Sequence, residues 1–274
     1  MTAILGFTCH DSVLMMADTE ETTFQYTKSS CDKLYRFNWP SGTVITGGAG
    51  DAHLIDCANQ ELHQYFAAGM PGTPDVQVTP ELILDGLNRF AQKFFSETVE
   101  TYTTAGLDPL PEFELLIAVN HHKKQTHLFK LVLNKVLWIA PPRHECIGSG
   151  NWEIHPMLRD FQFVPTKETA VFCGIRMMSH AKRVMQGVGG KTEAVALMHN
   201  GSTVYFGTAN TALIEDLAAN FEEFLDKFVY TSISNVSEEF PEIDENCEKG
   251  FEEVPKALKQ YRDKYKELLK KPIF

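Results

Sequence analysis

The sequence lacks several features that would assign it to common classes of protein. It has no run of eighteen or more consecutive apolar residues, so no transmembrane helix is predicted. Its first residues do not join a basic region to an apolar run, so we expect no secretory signal. There is no G-x-x-x-x-G-K-[ST] phosphate-binding loop, so any ATPase that works with this protein would be a separate chain. The net charge is -11 and no basic stripe is present, which argues against nucleic acid as a partner.

Cysteine is scarce and carries no pattern of a metal site or a disulfide framework. No pair stands as C-x-x-C, and most of the six thiols lie in apolar segments. We therefore expect reduced, buried thiols, a cytoplasmic location and no metal or cofactor. His121 and His122 precede two lysines in a predicted hairpin turn, where solvent exposure explains them better than metal ligation. The cysteines are Cys9, Cys31, Cys57, Cys146, Cys173 and Cys247.

The 274 residues, 43% of them hydrophobic, suffice for one sizeable domain with a well-buried core. Apolar, β-branched runs between turn residues predict strands, and apolar residues at helical spacing predict helices. The predicted strands are Ala3–Cys9, Ser12–Asp18, Lys33–Phe37, Thr43–Gly47, Phe113–Val119, Gln125–Leu133, Val136–Ala140, Glu145–Gly148, Ala194–His199 and Thr203–Gly207. The predicted helices are Asp51–Ala67, Thr79–Thr101, Trp152–Asp160 and Lys167–Gln186.

Residues 210–274 look like an addition to a domain that spans residues 1–209. Leu213–Phe228 is amphipathic, and Ser232–Glu253 is acidic and rich in turn residues. Val254–Lys271 places its apolar residues on one stripe and lysines elsewhere. We expect a pair of C-terminal helices packed on the domain. A subunit-contact or partner-docking element is the alternative.

The beginning of the chain offers a nucleophile. Thr2 follows Met1, and an initiator methionine is normally removed when the next residue is small. Removal would give Thr2 a free α-amine with a reference pKa of roughly 7.7–8.0. That amine can take the proton from the hydroxyl of the same residue and make it nucleophilic. The other chemistry-bearing positions follow in order as Asp18, Lys33, the pair Gly47-Gly48, and Gly148-Ser149-Gly150.

This ordered set resembles the β-type subunits of the proteasome and their bacterial relatives, a branch of the N-terminal-nucleophile (Ntn) hydrolases. The resemblance covers roughly residues 2–207 and rests on order and spacing rather than on one motif. It implies an α/β fold, a four-layer α/β/β/α sandwich of two antiparallel sheets, with a C-terminal helical extension. It also implies a threonine peptidase that acts on peptides or unfolded proteins inside a homo-oligomeric ring or shell. A separate ATP-dependent unfoldase is a possible partner, and a membrane is not.

The lysine of the set stands one residue short of the usual spacing of the family. Lys33 follows Asp18 by fifteen residues, where the family usually has sixteen. A one-residue deletion in the polar, loop-like stretch Thr19–Ser30 would account for the difference. Lys28 is the alternative, but it leaves the segment too short. Lys33 is preferred because the apolar run that begins at Leu34 follows it as a strand should.

The resemblance implies a role for each of five catalytic residues. Thr2 supplies the nucleophilic Oγ and the amine that relays its proton. Lys33 holds the local potential positive, and Asp18 fixes Lys33. The backbone N–H of Gly47, at the end of its strand, would bind the developing oxyanion. The Ser149 hydroxyl would help to shuttle protons.

The chain departs from the family pattern at two places near the expected substrate site. Glu21 is a carboxylate where the family commonly has a small residue, and its charge would favour basic substrate side chains. Before the pair Gly189-Gly190 the family usually carries an Asp and a Ser that support the threonine amine, but this chain has Met185 and Val188 there. The expected substrate-binding residues are Glu21, Cys31, Ile45 and Ala49.

Three functions are compatible with this pattern. The leading one is a threonine peptidase. The second is an inactive proteasome-like scaffold subunit, which the changes at Met185 and Val188 and the long C-terminal addition permit. The third is an Ntn amidase that acts on a small amide. Retention of Thr2, Asp18, Lys33, Gly47 and Ser149 argues against the scaffold and favours the peptidase.

Overall fold

The computed structural model describes residues 2–22, 28–69, 79–106, 112–121 and 125–234, with positions 256, 259, 260, 263, 264 and 267 of the C-terminal stretch. Over these ranges the chain forms twelve strands and five helices. The strands are β1 (Ile4–Thr8), β2 (Ser12–Asp18), β3 (Glu20–Thr22), β4 (Lys28–Ser30), β5 (Leu34–Trp39), β6 (Gly42–Gly50), β7 (Phe113–His121), β8 (Gln125–Val132), β9 (Lys135–Ile139), β10 (His144–Ile147), β11 (Thr192–Met198) and β12 (Thr203–Phe206). The helices are α1 (Ala52–Ala67), α2 (Pro80–Thr104), α3 (Asn151–Asp160), α4 (Lys167–Val184) and α5 (Thr208–Ser234).

The predicted order of strands and helices is confirmed, and no predicted end differs from the observed one by more than three residues in β1–β2, β5–β12 and α1–α4. The hairpin β3–β4 is the exception, because Thr19–Ser30 was expected to be loop-like. Its paired residues, Glu20 with Ser30 and Glu21 with Ser29, are polar on both strands. A hairpin without an apolar face gives no alternation of apolar and polar residues from which to predict it.

The larger strands pair into two antiparallel five-stranded sheets. The first has the strand order β10-β1-β2-β11-β12 and the second has the order β5-β6-β7-β8-β9. In the first sheet, Asp18 at the end of β2 lies opposite Thr192 at the start of β11. In the second sheet, Leu34 at the start of β5 lies opposite Gly47 of β6.

Both faces of the central strands are apolar, because each sheet is covered on both sides. All seven residues of β2 are buried. Leu14 and Met16 pack into one hydrophobic cluster, whereas Val13 and Met15 pack into another. Successive side chains of a strand point to opposite faces, so two clusters on one strand mean two covered faces.

Three hydrophobic clusters separate four layers. One lies between the first sheet and the helices α3, α4 and α5, and it includes Phe7 and Ile175. A second lies between the two sheets and includes Ile4 and Leu128. The third lies between the second sheet and the helices α1 and α2, and it includes Phe66. The α/β/β/α sandwich of two antiparallel sheets is therefore confirmed.

The strand β6 continues beyond the point where the sequence analysis ended it. Gly47 was expected to close this strand, but it lies inside β6 and pairs with Leu34 on one side and Leu116 on the other. The strand ends at Gly50, whose φ of 116° is open to glycine and strained for other residues. Asp51 then caps α1 by accepting a hydrogen bond from the N–H of Leu54 at 2.9 Å.

The C-terminal addition is helical where the structure describes it. The helix α5 contains the whole amphipathic segment predicted at Leu213–Phe228, and it buries Ile214 and Leu217 against the first sheet and α4. Most of Val254–Lys271 lies outside the described residues, and its described positions are helical. The acidic segment Ser232–Glu253 is described only to residue 234. The division into a domain at 1–209 and an extension at 210–274 stays a prediction.

The cysteine and histidine predictions are met in part. Cys9 and Cys146 are buried, and burial raises the pKa of both thiols. Cys31, Cys57 and Cys173 are half-buried, and all five described thiols are free. The expected exposure of His121 is wrong, because its ring is buried with its centroid 5.3 Å from that of Trp39. Cys247 and His122 lie outside the described residues.

In the described part of the chain, no helix is long and apolar enough to cross a membrane. No group of three or more His, Cys, Asp or Glu residues in the same ranges is arranged to hold a metal ion.

The layered core predicts how truncation of a leucine should affect stability. Leu128 is fully buried between the two sheets, whereas Leu137 on the edge strand β9 is 43% exposed. Leu128→Ala should lower the free energy of unfolding by about 2–5 kcal/mol, through lost burial and the cavity left behind. Leu137→Ala, the matched control, should change it by no more than about 0.5 kcal/mol. Chemical denaturation measures both, and similar losses in the two variants would contradict the layered packing.

Candidate active site

A fully buried carboxylate, that of Asp18, lies at the centre of the site. Its Oδ1 accepts hydrogen bonds from the backbone N–H of Ala3 at 2.8 Å and from the Lys33 ammonium at 3.0 Å. Its Oδ2 accepts one from the backbone N–H of Gly189 at 3.3 Å. A charge in such a place must be paired and hydrogen-bonded, because desolvation would otherwise make it too costly. These bonds bring β2, the N-terminal segment, the segment before β5 and the turn before β11 together.

Lys33 immediately precedes β5 and is almost as buried, with 8% of its side chain exposed. Besides Asp18, its ammonium donates to the backbone oxygen of Glu20 at 2.6 Å. Its backbone N–H donates to Oε2 of Glu193 at 3.3 Å. The side chain that forms the buried ion pair is therefore that of Lys33, the lysine preferred over Lys28 from the sequence.

Thr2 is held on the other side of the site by the turn that follows β10. Its backbone nitrogen donates to the Ser149 hydroxyl at 3.1 Å. Its backbone oxygen accepts from Ser149 Oγ at 3.3 Å and from the N–H of Gly150 at 3.2 Å. Gly148 has a φ of 85°, and a Cβ there would collide with the Thr2 carbonyl oxygen. Glycine is thus required for the turn to approach the backbone of Thr2.

Four of the five predicted catalytic residues are joined by these hydrogen bonds. Asp18 and Lys33 form the ion pair, and Ser149 binds Thr2, whose next residue Ala3 donates to Asp18. Gly47 is close as well, since a Cβ on it would stand 2.9 Å from the side chains of Ile4 and Leu34. The role of Gly47 as an oxyanion donor, like the catalytic roles of the other four, stays a prediction.

The four predicted substrate-binding residues divide into two pairs. Glu21 on β3 and Cys31 just after β4 are both half-buried. Burial raises the pKa of the Cys31 thiol, the Lys33 charge lowers it and the Glu21 charge raises it. Ile45 and Ala49 are buried between the two sheets. Whether any of the four contacts a substrate stays a prediction.

The turn before β11 reaches the site through backbone groups. Val188, where the family pattern has a polar residue, is buried in the cluster under the helices, and Met185 packs against that cluster. Gly189 contributes its N–H to Asp18, and the N–H of Lys191 donates to Oγ1 of Thr19 at 2.9 Å. The turn is therefore fixed to the end of β2 although the usual Asp and Ser are absent.

The sequence analysis missed Glu193. This residue lies on β11 opposite Ala17, and its Oε2 accepts from the backbone N–H of Lys33 at 3.3 Å. Burial raises the pKa of this carboxyl, and the charge of Asp32 raises it further, while the hydrogen bond from Lys33 opposes the shift. A signal was present, because Glu193 is the charged residue of a strand whose next five residues are all apolar. A single glutamate in a strand nevertheless does not reveal its partner.

The Asp18–Lys33 pair predicts a large effect from a single substitution. Lys33→Met should lower the free energy of unfolding by about 3–5 kcal/mol, because the buried Asp18 carboxylate would lose its cation. Lys93→Met removes the cation of a Lys93–Glu97 pair at 3.7 Å whose side chains are 74% and 54% exposed, and it should cost less than about 0.5 kcal/mol. Urea denaturation compares the two variants, and equal midpoints would show that the buried pair does not support the fold.

The fold is similar to that of several solved structures. Anbu (ancestral β-subunit) from Yersinia bercovieri is 13% identical with a TM-score of 0.63, covering 83% of this chain and 97% of the other. A Gly-1 mutant of Anbu from Hyphomicrobium sp. strain MC1 is 13% identical with a TM-score of 0.65, covering 88% and 99%. A helical assembly of the Anbu complex from Pseudomonas aeruginosa is 14% identical with a TM-score of 0.63, covering 82% and 96%. At such identities the likeness shows a shared proteasome-like Ntn fold.

A comparison with curated proteins finds no match. A comparison with family models matches the description "Proteasome subunit" over residues 2–195. That range includes every residue that surrounds Asp18, from Thr2 to Glu193, and spans most of the chain. The geometry of the site and the order of its residues agree with this match, and the chain belongs to the proteasome subunit family.

Proposed function

We propose that this protein is an N-terminal threonine peptidase that cleaves peptide amide bonds, with Thr2 as its nucleophile once Met1 is removed. One observation carries the proposal. The backbone nitrogen of Thr2 is held by Ser149, while the next residue, Ala3, is bound to the buried carboxylate that pairs with Lys33. These contacts, which join Thr2 to Ser149 and Ala3 to the Asp18–Lys33 pair, support the proposal.

The proposed reaction begins with the free α-amine of Thr2. The amine takes the proton of Thr2 Oγ as the oxygen attacks the substrate carbonyl carbon, and a tetrahedral oxyanion forms. When the C–N bond breaks, the amine returns the proton to the leaving nitrogen and an ester on Thr2 remains. Water, activated by the same amine, then hydrolyses the ester. The N–H of Gly47 is the proposed donor to the oxyanion.

Lys33 is proposed to act through its charge. A cation beside the amine disfavours a second positive charge, so it favours the neutral amine that acts as the base. It also favours the developing alkoxide on Oγ. Its contacts with Asp18 and with the Glu20 carbonyl keep the ammonium at the site rather than in solvent. Glu21, half-buried on β3, is proposed to favour basic substrate side chains.

We further propose that the subunits assemble into a homo-oligomeric ring or shell in the cytoplasm. Enclosure would keep folded proteins from the site, and a separate ATP-dependent unfoldase is a possible partner. Large apolar side chains on the surface support assembly, since exposed apolar area often marks an interface. Trp152 on α3 is 83% exposed and Val184 at the end of α4 is 53% exposed.

A scaffold subunit without activity is the second candidate, and one observation favours it. Val188 is buried among apolar side chains where the family pattern has a polar residue that supports the threonine amine. With an apolar residue there, the Thr2 amine would rely on the Ser149 hydroxyl for its side-chain hydrogen bond. An amidase for a small amide is the third candidate, and no feature of the site favours it over a peptidase.

Substitution of Thr2 tests the mechanism. Thr2→Ala should abolish hydrolysis of fluorogenic peptides, and Thr2→Ser should keep part of it, because serine retains both the hydroxyl and the amine. An uncleaved N-terminal tag should also abolish activity, since it turns the amine into an amide. Thr103→Ala on the exposed end of α2 is the matched control and should leave the rate unchanged.

Intact mass should show that the active wild-type protein has lost Met1. Equal activity of tagged and trimmed protein would rule out the free-amine mechanism. A trimmed wild-type protein that hydrolyses neither peptides nor small amides, and that does not react with an N-terminal-threonine-directed electrophile, would favour the scaffold.

The assembly proposal has its own measurement. Light scattering should find the single subunit to be the minor species at micromolar concentration. Assembly should strengthen as salt is added, because a net charge of -11 on each copy makes the subunits repel one another. A monomer that persists at high concentration and in high salt would contradict a self-enclosing peptidase and favour the small-amide alternative.

A further inference from the structure

Glu193 occupies an unusual place for a carboxylate. It lies on β11 opposite Ala17, and alternation places its side chain on the same face as Val195 and Leu197, which pack between the two sheets. Glu193 is half-buried, and a carboxylate taken partly out of water needs hydrogen-bond partners in the protein.

Its partner is the backbone of Lys33, the residue immediately before β5. The backbone N–H of Lys33 donates to Oε2 of Glu193 at 3.3 Å. Residues 31–33 lie outside regular strands. The N–H of Cys31 donates to the carbonyl oxygen of Thr19 at 3.0 Å, and that of Lys33 to Glu193, so this short segment is held by separate hydrogen bonds rather than by a strand ladder. The Glu193 carboxylate belongs to the first sheet and β5 belongs to the second. The Glu193 carboxylate therefore links the two sheets at the backbone of Lys33.

Lys33 is in this way held at both ends by one pair of strands. Its ammonium binds Asp18 at the end of β2, and its backbone binds Glu193 on β11, which pairs directly with β2. We propose that Glu193 is a positioning residue of this site: it fixes the backbone of Lys33 so that the ammonium reaches Asp18 and faces Thr2. Its effect on catalysis rests on the proposed function, whereas its hold on Lys33 does not.

The neighbouring residue on β11 provides a contrast. Thr192 bonds to the Glu215 carboxylate, which also forms an ion pair with Lys182 at 2.7 Å. That cluster joins β11 to α4 and α5 and touches neither Lys33 nor Leu34. Glu215 is therefore a matched control, since it is a partly buried, paired glutamate whose loss disturbs β11 without removing the acceptor of the Lys33 backbone.

The test compares Glu193→Ala, Glu193→Gln and Glu215→Ala in the full chain. Hydrogen–deuterium exchange read by mass spectrometry, on a peptide that includes Lys33 and Leu34, measures the hold on the backbone. We expect faster exchange there in Glu193→Ala, intermediate exchange in Glu193→Gln because its amide oxygen still accepts, and wild-type exchange in Glu215→Ala. Peptide hydrolysis should show kcat lowered by up to roughly 100-fold in Glu193→Ala with KM nearly unchanged. Glu193→Gln should restore part of kcat.

The two measurements separate the two proposals. Exchange at Lys33 and Leu34 that is unchanged in Glu193→Ala, or equally fast in Glu215→Ala, would overturn the positioning role. If exchange at Lys33 and Leu34 is slow in wild type and fast in Glu193→Ala, but kcat is unchanged, Glu193 holds the backbone without affecting catalysis. That outcome would overturn the proposed effect on catalysis. A wild-type protein without peptidase activity would refute the proposed function alone, and the exchange result would still decide whether Glu193 holds Lys33.

Discussion

The buried carboxylate of Asp18 is the group on which the arrangement of the site depends. It has no access to solvent, so its charge must be balanced by the Lys33 ammonium and by the N–H groups of Ala3 and Gly189. Those donors come from three segments far apart in the chain, and each must be in place for the carboxylate to be buried without penalty. Because the buried charge of Asp18 needs these partners, it also brings Lys33 and the N-terminal segment together.

The apolar core of the surrounding fold offsets the free-energy cost of burying these charges. Two sheets, each with both faces covered, bury three apolar clusters, and the site lies where the N-terminal segment and the ends of β2 and β11 meet the start of β5. Stability that comes from apolar burial elsewhere offsets polar groups placed between the layers. Asp18, Lys33 and Glu193 are such groups, and each is bound by hydrogen bonds rather than by apolar contact alone.

Among proteasome subunits, this chain supports its site in a different way at the turn before β11. Val188 adds apolar burial there and Gly189 supplies a backbone N–H, so the support comes from main-chain groups that any sequence possesses. The N–H of Gly189 donates to Asp18 whatever side chains surround it, because it belongs to the backbone. Ser149 remains the side chain that contacts the nitrogen of Thr2. This difference is what leaves a peptidase and a scaffold as distinct proposals.

The sequence by itself determined the order of the larger strands and helices, because their apolar periodicity is strong, and its resemblance to the β-type subunits of the proteasome pointed to Asp18, Lys33 and Ser149. It did not reveal the hairpin β3–β4, whose strands lack an apolar face, or the extension of β6 to Gly50, where one positive φ ends the strand. Only the tertiary structure decided that Lys33 is the paired lysine and that Glu193 holds its backbone. Those contacts join residues 15 and 160 positions apart, and no local pattern specifies a partner at such a distance.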